Sequence, residues 1–254
     1  MPLTADGSPA TEIRADGAPV AEWRADGDPK FSPIAPAERI AFHYDAETFR
    51  LDEGEAITTW ENTAHSATSI APDAHQPDAS LRPTYTETGI NGQPSAVFEG
   101  ASTLPVGYFD SSLTQPYTIA AVAQPTAIEA GYLWGGADNA YRSILSFDFH
   151  SDFRFWAGHT PALRTPSTTD AHVFVCVADG AKSVLRVDTV EITGEAGSLR
   201  KDGLTIGARG DDRRKLVGQI GELRGFNHRL NATERATLVD ELAEAWGLAL
   251  GYAP

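Results

Sequence analysis

Sulfur is nearly absent from this 254-residue chain, which holds one cysteine, Cys176, and one methionine, Met1. No internal disulfide can form, so stability has to come from a buried core. A domain of about 210 residues supplies one by burying roughly 70% of the surface its unfolded chain exposes. Cys176 lies in the apolar run Val173-Phe174-Val175-Cys176-Val177, which predicts a buried, inert thiol rather than a nucleophile. Apolar runs of about 18 to 20 residues, the length of a membrane span, are missing. The opening MPLTADGSPATEIRADG has no basic stretch followed by an apolar one, so export by a signal peptide is not expected. Positive charge is scarce as well, with 20 basic against 35 acidic residues and a net charge of −15. Such a surface repels phosphate, which argues against nucleic acid and anionic membranes as partners.

Familiar catalytic patterns are also lacking. The seven histidines are scattered, without an HExxH motif or an i, i+4 pair. No serine sits in a Gly-x-Ser-x-Gly elbow. Gly135-Gly136 is not followed by a helical pattern that would make it a phosphate loop.

What is present divides the chain in two. Residues 1–37 carry a ten-residue repeat in which Asp6-Gly7, Asp16-Gly17 and Asp26-Gly27 recur in register, followed by Pro9, Pro19 and Pro29. Asp-Gly favours a tight turn and proline an extended continuation. Ile13, Trp23 and Phe31 recur between the turns. One such unit cannot bury a core, so repeated units stack on each other or on a partner. The segment reads as an anchor arm that docks on a neighbouring subunit in a homo-oligomer, with a solvated acidic linker as the competing reading.

From residue 38 to 254 the texture changes to short β-prone runs separated by glycine, proline and Asx residues. Tyr117–Ala123, Ser143–Phe149, Phe153–Trp156, Val173–Val177, Val184–Val187, Leu204–Gly207 and Gly218–Phe226 are expected strands. Their number and frequent turns predict an all-β antiparallel sandwich rather than βα units. One helix follows: Asn231 and Glu234 form a capping box, Leu238, Leu242 and Trp246 make an apolar stripe, and Gly247 ends it.

The segments ITTWEN, RPTYTETGINGQPSAVFEGASTL, PYTIAAVAQP, DAHVFVCVADGAKSVLRVDTVEI and KLVGQIGELRGFNHRLNATERATLVDELAEAWGL together resemble the laminin-G-like, concanavalin A-like jelly-roll domains of bacterial and phage proteins. The resemblance spans most of residues 41–248. It departs from the family at Thr189, which stands where the family's "VDG" hairpin has glycine.

This resemblance implies a jelly-roll β-sandwich with a short C-terminal helix behind an extended N-terminal arm. The fold also houses β-glucanases, whose catalytic strand reads Glu-x-Asp-x-(x)-Glu. In the nearest stretch here, Arg186 to Glu191, Arg186 replaces the nucleophilic glutamate. The paired carboxylates that glycoside hydrolysis needs are therefore not complete, and a binding module rather than an enzyme is expected. Sugar sites combine an aromatic platform with polar groups on loops. The densest such cluster is Tyr132, Trp134, Asp138, Asn139, Tyr141 and Arg142, with Trp156 nearby. Trp134 beside two glycines is expected on a loop, with core packing as the competing role for both tryptophans. Calcium, common in this family, has candidate ligands at Asp211-Asp212 and Asp138-Asn139, but neither shows an ordered ligand spacing. No metal or other cofactor is assigned.

A lectin-like sandwich behind a repeat-bearing arm and without an export signal fits a virion component of a tailed phage or phage-derived particle. It would be assembled in the cytoplasm and released by lysis. In that setting the arm of residues 1–37 attaches to other virion proteins and the sandwich holds host-surface polysaccharide. A purely structural decoration protein is the alternative, and a glycosidase ranks last.

Overall fold

A computed structural model describes residues 39–64, 69–127, 131–138, 140, 143–147 and 152–250. The repeat-bearing arm, with Ile13, Trp23 and Phe31, lies outside the described residues.

Two antiparallel sheets make the sandwich. The larger contains β1 (Ile40–Asp45), β4 (Thr84–Thr86), β5 (Ser95–Glu99), β7 (Tyr117–Pro125), β12 (His172–Ala178), β13 (Ser183–Val187), β14 (Val190–Gly194) and β16 (Val217–Phe226). Its order is β14-β13-β12-β7-β16-β5-β4, and β1 also pairs with β16. The smaller contains β6 (Leu104–Leu113), β8 (Tyr132–Gly135), β9 (Ile144–Phe147), β10 (Asp152–Trp156), β11 (Leu163–Pro166) and β15 (Lys201–Ile206), in the order β11-β10-β9-β8-β15-β6. A short ribbon of β2 (Thr59–Trp60) and β3 (Ala74–His75) stands apart. Each expected strand has a counterpart among the described residues, and β9 pairs antiparallel with β10.

The core lies between the sheets. Phe153 of the smaller sheet meets Phe174 of the larger at 4.9 Å between ring centroids, and Phe147 meets Phe153 at 5.3 Å. All seven residues of β12 are buried, and after His172 they form one continuous apolar run. Cys176 is fully buried there, and burial pushes its thiol well above the ordinary value. It is an inert core residue, as the sequence predicts.

The helix α1 (Ala232–Ala245) starts on the expected box: the Asn231 side chain accepts from Glu234 N at 3.0 Å, and Glu234 accepts from Asn231 N at 2.6 Å. Leu238, Leu242 and Trp246 are buried, and Gly247 follows at φ 59°, the left-handed end that favours glycine. Trp246 seats on β16 over Gly221, where any Cβ would come within 2.3 Å of the indole.

Beneath that indole, Glu222 of β16 is almost wholly buried. It accepts from Trp246 Nε1 at 2.9 Å and from Arg224 Nε, and its partner across β1 is His43 Nε2 at 2.7 Å. Arg224 continues to Glu241 on the helix at 2.9 Å. Burial alone would push this carboxyl up, but His43, Arg224 and Trp246 together hold it at about 2. Its folded-state value is depressed, so its contribution to stability is complete above the usual carboxylate range and fades as pH falls toward 2. Glu222→Gln is expected to cost about 3 kcal/mol near neutral pH, the scale for breaking a buried pair. Urea denaturation between pH 7 and pH 2.5 checks this: the gap between wild type and variant should shrink as the solution is acidified.

Candidate functional site

Strand register separates the inner from the outer face of the smaller sheet. Phe153 and Phe155 are buried against the sandwich interior, so alternation sends Asp152, Arg154 and Trp156 outward. Arg164 stands opposite Arg154, and Asp152 reaches it at 3.7 Å. At the far edge of the same sheet, Gly203 of β15 stands opposite Tyr108 of β6. Tyr108 is 63% exposed, one of two large apolar side chains left exposed among the described residues.

The surroundings of Tyr108 are built by missing side chains and by a buried cation. A Cβ on Gly203 would lie 2.2 Å from Gly107 O and 2.6 Å from Ala137 Cβ. Glycine there lets the segment after β8 descend beside β6. Lys201, with no exposed surface, holds that segment from below: its Nζ donates to Gly135 O at 2.7 Å and Ser143 O at 3.2 Å. Thr205 Oγ1 adds a bond to Gly136 O at 2.8 Å. The result places Asp138 beside Tyr108, whose hydroxyl donates to Asp138 Oδ2 at 2.9 Å. The same carboxylate accepts from Ala140 N at 2.7 Å. Asp138 raises the Tyr108 phenol above its ordinary value. Nearby, Asp202 is held below the usual carboxylate range by Arg200 and Ser112, against the upward push of its burial.

Chemically, this is an exposed ring fixed at its hydroxyl, with the carboxyl groups of Asp138 and Asp202 nearby. The ring offers a flat apolar face, and carboxylate oxygens accept hydrogen bonds. That combination suits a ligand with C–H faces and hydroxyl donors.

The anticipated cluster is only partly assembled here. Asp138 belongs to it. Tyr132 is buried in β8, with Arg209 close to its hydroxyl. Trp134 is not on a loop. It is fully buried in β8, opposite Ile206, and its Nε1 has no hydrogen-bond partner. An exposed-platform role for Trp134 is therefore corrected: pairing of β8 with β15 draws the indole into the core. Trp156 is half-buried at the end of β10, on the outer face but several strands from Tyr108. Asn139, Tyr141 and Arg142 lie outside the described residues. Tyr108 was absent from the sequence-derived set, because its exposure depends on Gly203, almost a hundred residues away.

The calcium candidates are engaged elsewhere. Asp211 pairs with Arg209 and Arg213, and Asp212 with Lys215 at 3.1 Å. Among the described residues, His43, Asp45 and Glu222 bring ligand atoms within 4.8 Å of one another, but Arg224 already neutralises that carboxylate. The stretch compared with a glucanase strand is broken by a turn: β13 ends at Val187, and β14 begins at Val190. Arg186 and Glu191 face each other across it, 3.6 Å apart.

No protein-family profile and no curated protein sequence matches the chain. Solved structures do resemble it. Domain 4 of AbnA, a GH43 extracellular arabinanase from Geobacillus stearothermophilus solved with arabinotriose, aligns at TM-score 0.57 and 13% identity, over 79% of this chain and 98% of that one. Trypanosoma rangeli sialidase in complex with sialic acid aligns at 0.55 and 17%, over 94% of this chain but only 36% of the sialidase. The binding domain of Paraclostridial Mosquitocidal Protein 1 aligns at 0.56 and 10%, over 81% and 53%. These identities establish the β-sandwich fold and nothing finer. They also overturn the expectation that the chain is not an enzyme: structures of two glycosidases contain this sandwich, so a lectin-like fold does not separate binders from enzymes.

The burial of Trp134 yields a test of this geometry. Trp134→Ala should destabilise the protein by about 3–5 kcal/mol, as large core truncations do. Tyr108→Ala should stay within about 0.5 kcal/mol of wild type, as at an exposed site. Urea midpoints of the two variants check the contrast.

Proposed function

We propose that the chain is a carbohydrate-binding β-sandwich whose ligand lies on the outer face of the smaller sheet, across Tyr108 and Asp138. The observation that carries this reading is a 63% exposed tyrosine whose hydroxyl is fixed on a carboxylate at 2.9 Å. An unanchored exposed ring loses rotamer freedom on binding; this one has its orientation set beforehand. The arabinotriose and sialic acid bound in two of the similar structures support the choice of saccharide, though those ligands belong to those proteins.

We place this activity in a virion, with residues 1–37 as the anchor to other particle proteins and host-surface polysaccharide as the ligand. The support is the in-register Asp-Gly and proline repeat, a pattern that stacks on partners. Several copies on one particle would turn weak single-site binding into avidity.

Calorimetric titration of the full chain with neutral oligosaccharides, arabinotriose among them, tests the site. Tyr108→Ala should weaken binding at least about tenfold, or about 1.4 kcal/mol, without a change in melting temperature. Absence of binding by the wild-type protein would instead favour a structural decoration role.

A further inference from the structure

A second constellation lies at the opposite edge of the sandwich, about five strand spacings or roughly 24 Å from Tyr108 across the smaller sheet. Two depressions of about 270 and 330 Å3 adjoin there, and Asp188 lines both. The first has apolar walls of Phe153, Pro166, Val187 and Val190, with Thr165, Thr189 and His172 beside Asp188 as its polar groups. The second brings Asn91, Gln124 and Asp170 together with the chain after α1, Gly247 to Leu250. Val190 is 53% exposed, the other large apolar side chain left uncovered among the described residues.

The dividing carboxylate is locked in place. Asp188 Oδ1 accepts from Val173 N at 2.8 Å, and Oδ2 meets His172 Nδ1 at 2.6 Å. The other ring nitrogen, Nε2, is held by Thr168 Oγ1 at 2.9 Å, and that hydroxyl lies 2.9 Å from Asp170 Oδ2. The His172 ring is clamped between Phe153 and Phe174, at 5.2 and 5.7 Å. Two protein donors leave Asp188 with acceptor positions unfilled, since a carboxylate has about four. Those positions stand on the wall between the depressions. A carboxylate with fixed orientation, hydroxyls on one side and a bare valine on the other, meets the requirements of a pre-organised polar contact beside an apolar one.

We infer that this end of the sandwich is a second saccharide site, one that takes a neutral oligosaccharide of at least two linked rings. The rings straddle Asp188. One ring's vicinal hydroxyls donate to the carboxylate while its C–H face rests on Val190. Among the described residues no lysine or arginine lines either depression, whereas Asp170 and Asp188 line the second. Uronic and sialic acids are therefore excluded by like charge. The inference rests on the carbohydrate-binding reading but on residues separate from Tyr108.

The test uses the full chain, a panel of neutral and uronic-acid oligosaccharides, and the variants Tyr108→Ala and Val190→Asp, with melting curves to verify folding. Val190→Asp places a charge on the apolar rest without touching the Asp188–His172 pair. The expected result is that Tyr108→Ala, though at least about tenfold weaker overall, keeps a residual binding of neutral oligosaccharides, and that adding Val190→Asp weakens this remainder at least about tenfold more. In the wild-type protein the Val190 methyl and His172 ring resonances should shift on titration with a neutral disaccharide and stay unmoved with a uronic one. If Tyr108→Ala alone removes all binding and those resonances do not move, this inference is overturned while the Tyr108 site stands. If Val190→Asp alone removes all binding, the Tyr108 site falls and this one holds. Preference for the uronic-acid ligands would also sink the inference.

Discussion

A single buried carboxylate ties the structure together. Glu222 sits on β16, the strand that pairs with β7 along one side and shares its other side between β5 and β1. Its three contacts come from three places: His43 on β1, Arg224 two residues along its own strand, and Trp246 at the end of the helix. Taking such a charge out of water costs several kcal/mol, and only a full set of donors makes the position tolerable. The network therefore fixes a register, since none of the three elements can shift by a residue without stranding the charge. Gly221 belongs to the same device, because the indole reaches the carboxylate only where the neighbouring residue has no side chain.

That arrangement bears on where the proposed ligand contacts lie. The helix covers the larger sheet on the side that carries Glu222 and Arg224, with Arg235 reaching across to Glu191 at 2.6 Å. The inner faces are filled by Phe98, Phe147, Phe153 and Phe174. Among the described residues, the large apolar side chains that stand exposed are Tyr108 on the smaller sheet and Val190 at the turn after β13. Loops carried on rigid strands are where binding groups are usually found, and here the strands do the orienting. Lys201 fixes the chain beside Tyr108, and the His172–Asp188 pair fixes the turn after β13.

Much of the fold is legible in the sequence because its signals are local. The capping box at Asn231 and Glu234, the four-residue spacing of Leu238, Leu242 and Trp246, and the apolar run around Cys176 each state their own structure within a few residues. The site is less legible because its determinants are distant in the chain. Trp134 next to Gly135-Gly136 reads as a loop aromatic, yet pairing with β15, some seventy residues later, carries it into the core. Tyr108 sits between Gly107 and Phe109 in an ordinary strand pattern, and nothing near it predicts exposure. Only Gly203 opposite, and the descent of Ala137 and Asp138 that it permits, make it a platform. Asp188 is an intermediate case. The Val-Asp-Thr-Val sequence marks a turn, and its φ of 53° is one that aspartate tolerates, but its bond to His172 could not be read from spacing.

The charge of the chain bears on ligand choice in a way that either surface alone does not. The net charge of −15 sets a repulsive field that reaches about 8 Å into physiological salt. Within that distance a polyanionic polysaccharide meets repulsion before any local contact forms. Some of the arginines that could offset this are already committed, Arg200 to Asp202, Arg186 and Arg235 to Glu191, Arg209 to Asp211, while Arg164 stands on the outer face of the smaller sheet beside Asp152. Among the described residues around Tyr108 and Val190, the groups that face outward include carboxylate oxygens, hydroxyls and apolar faces. On the proposed carbohydrate-binding reading, the net charge therefore favours ligands that donate hydroxyls and carry no negative charge over polyanionic ones.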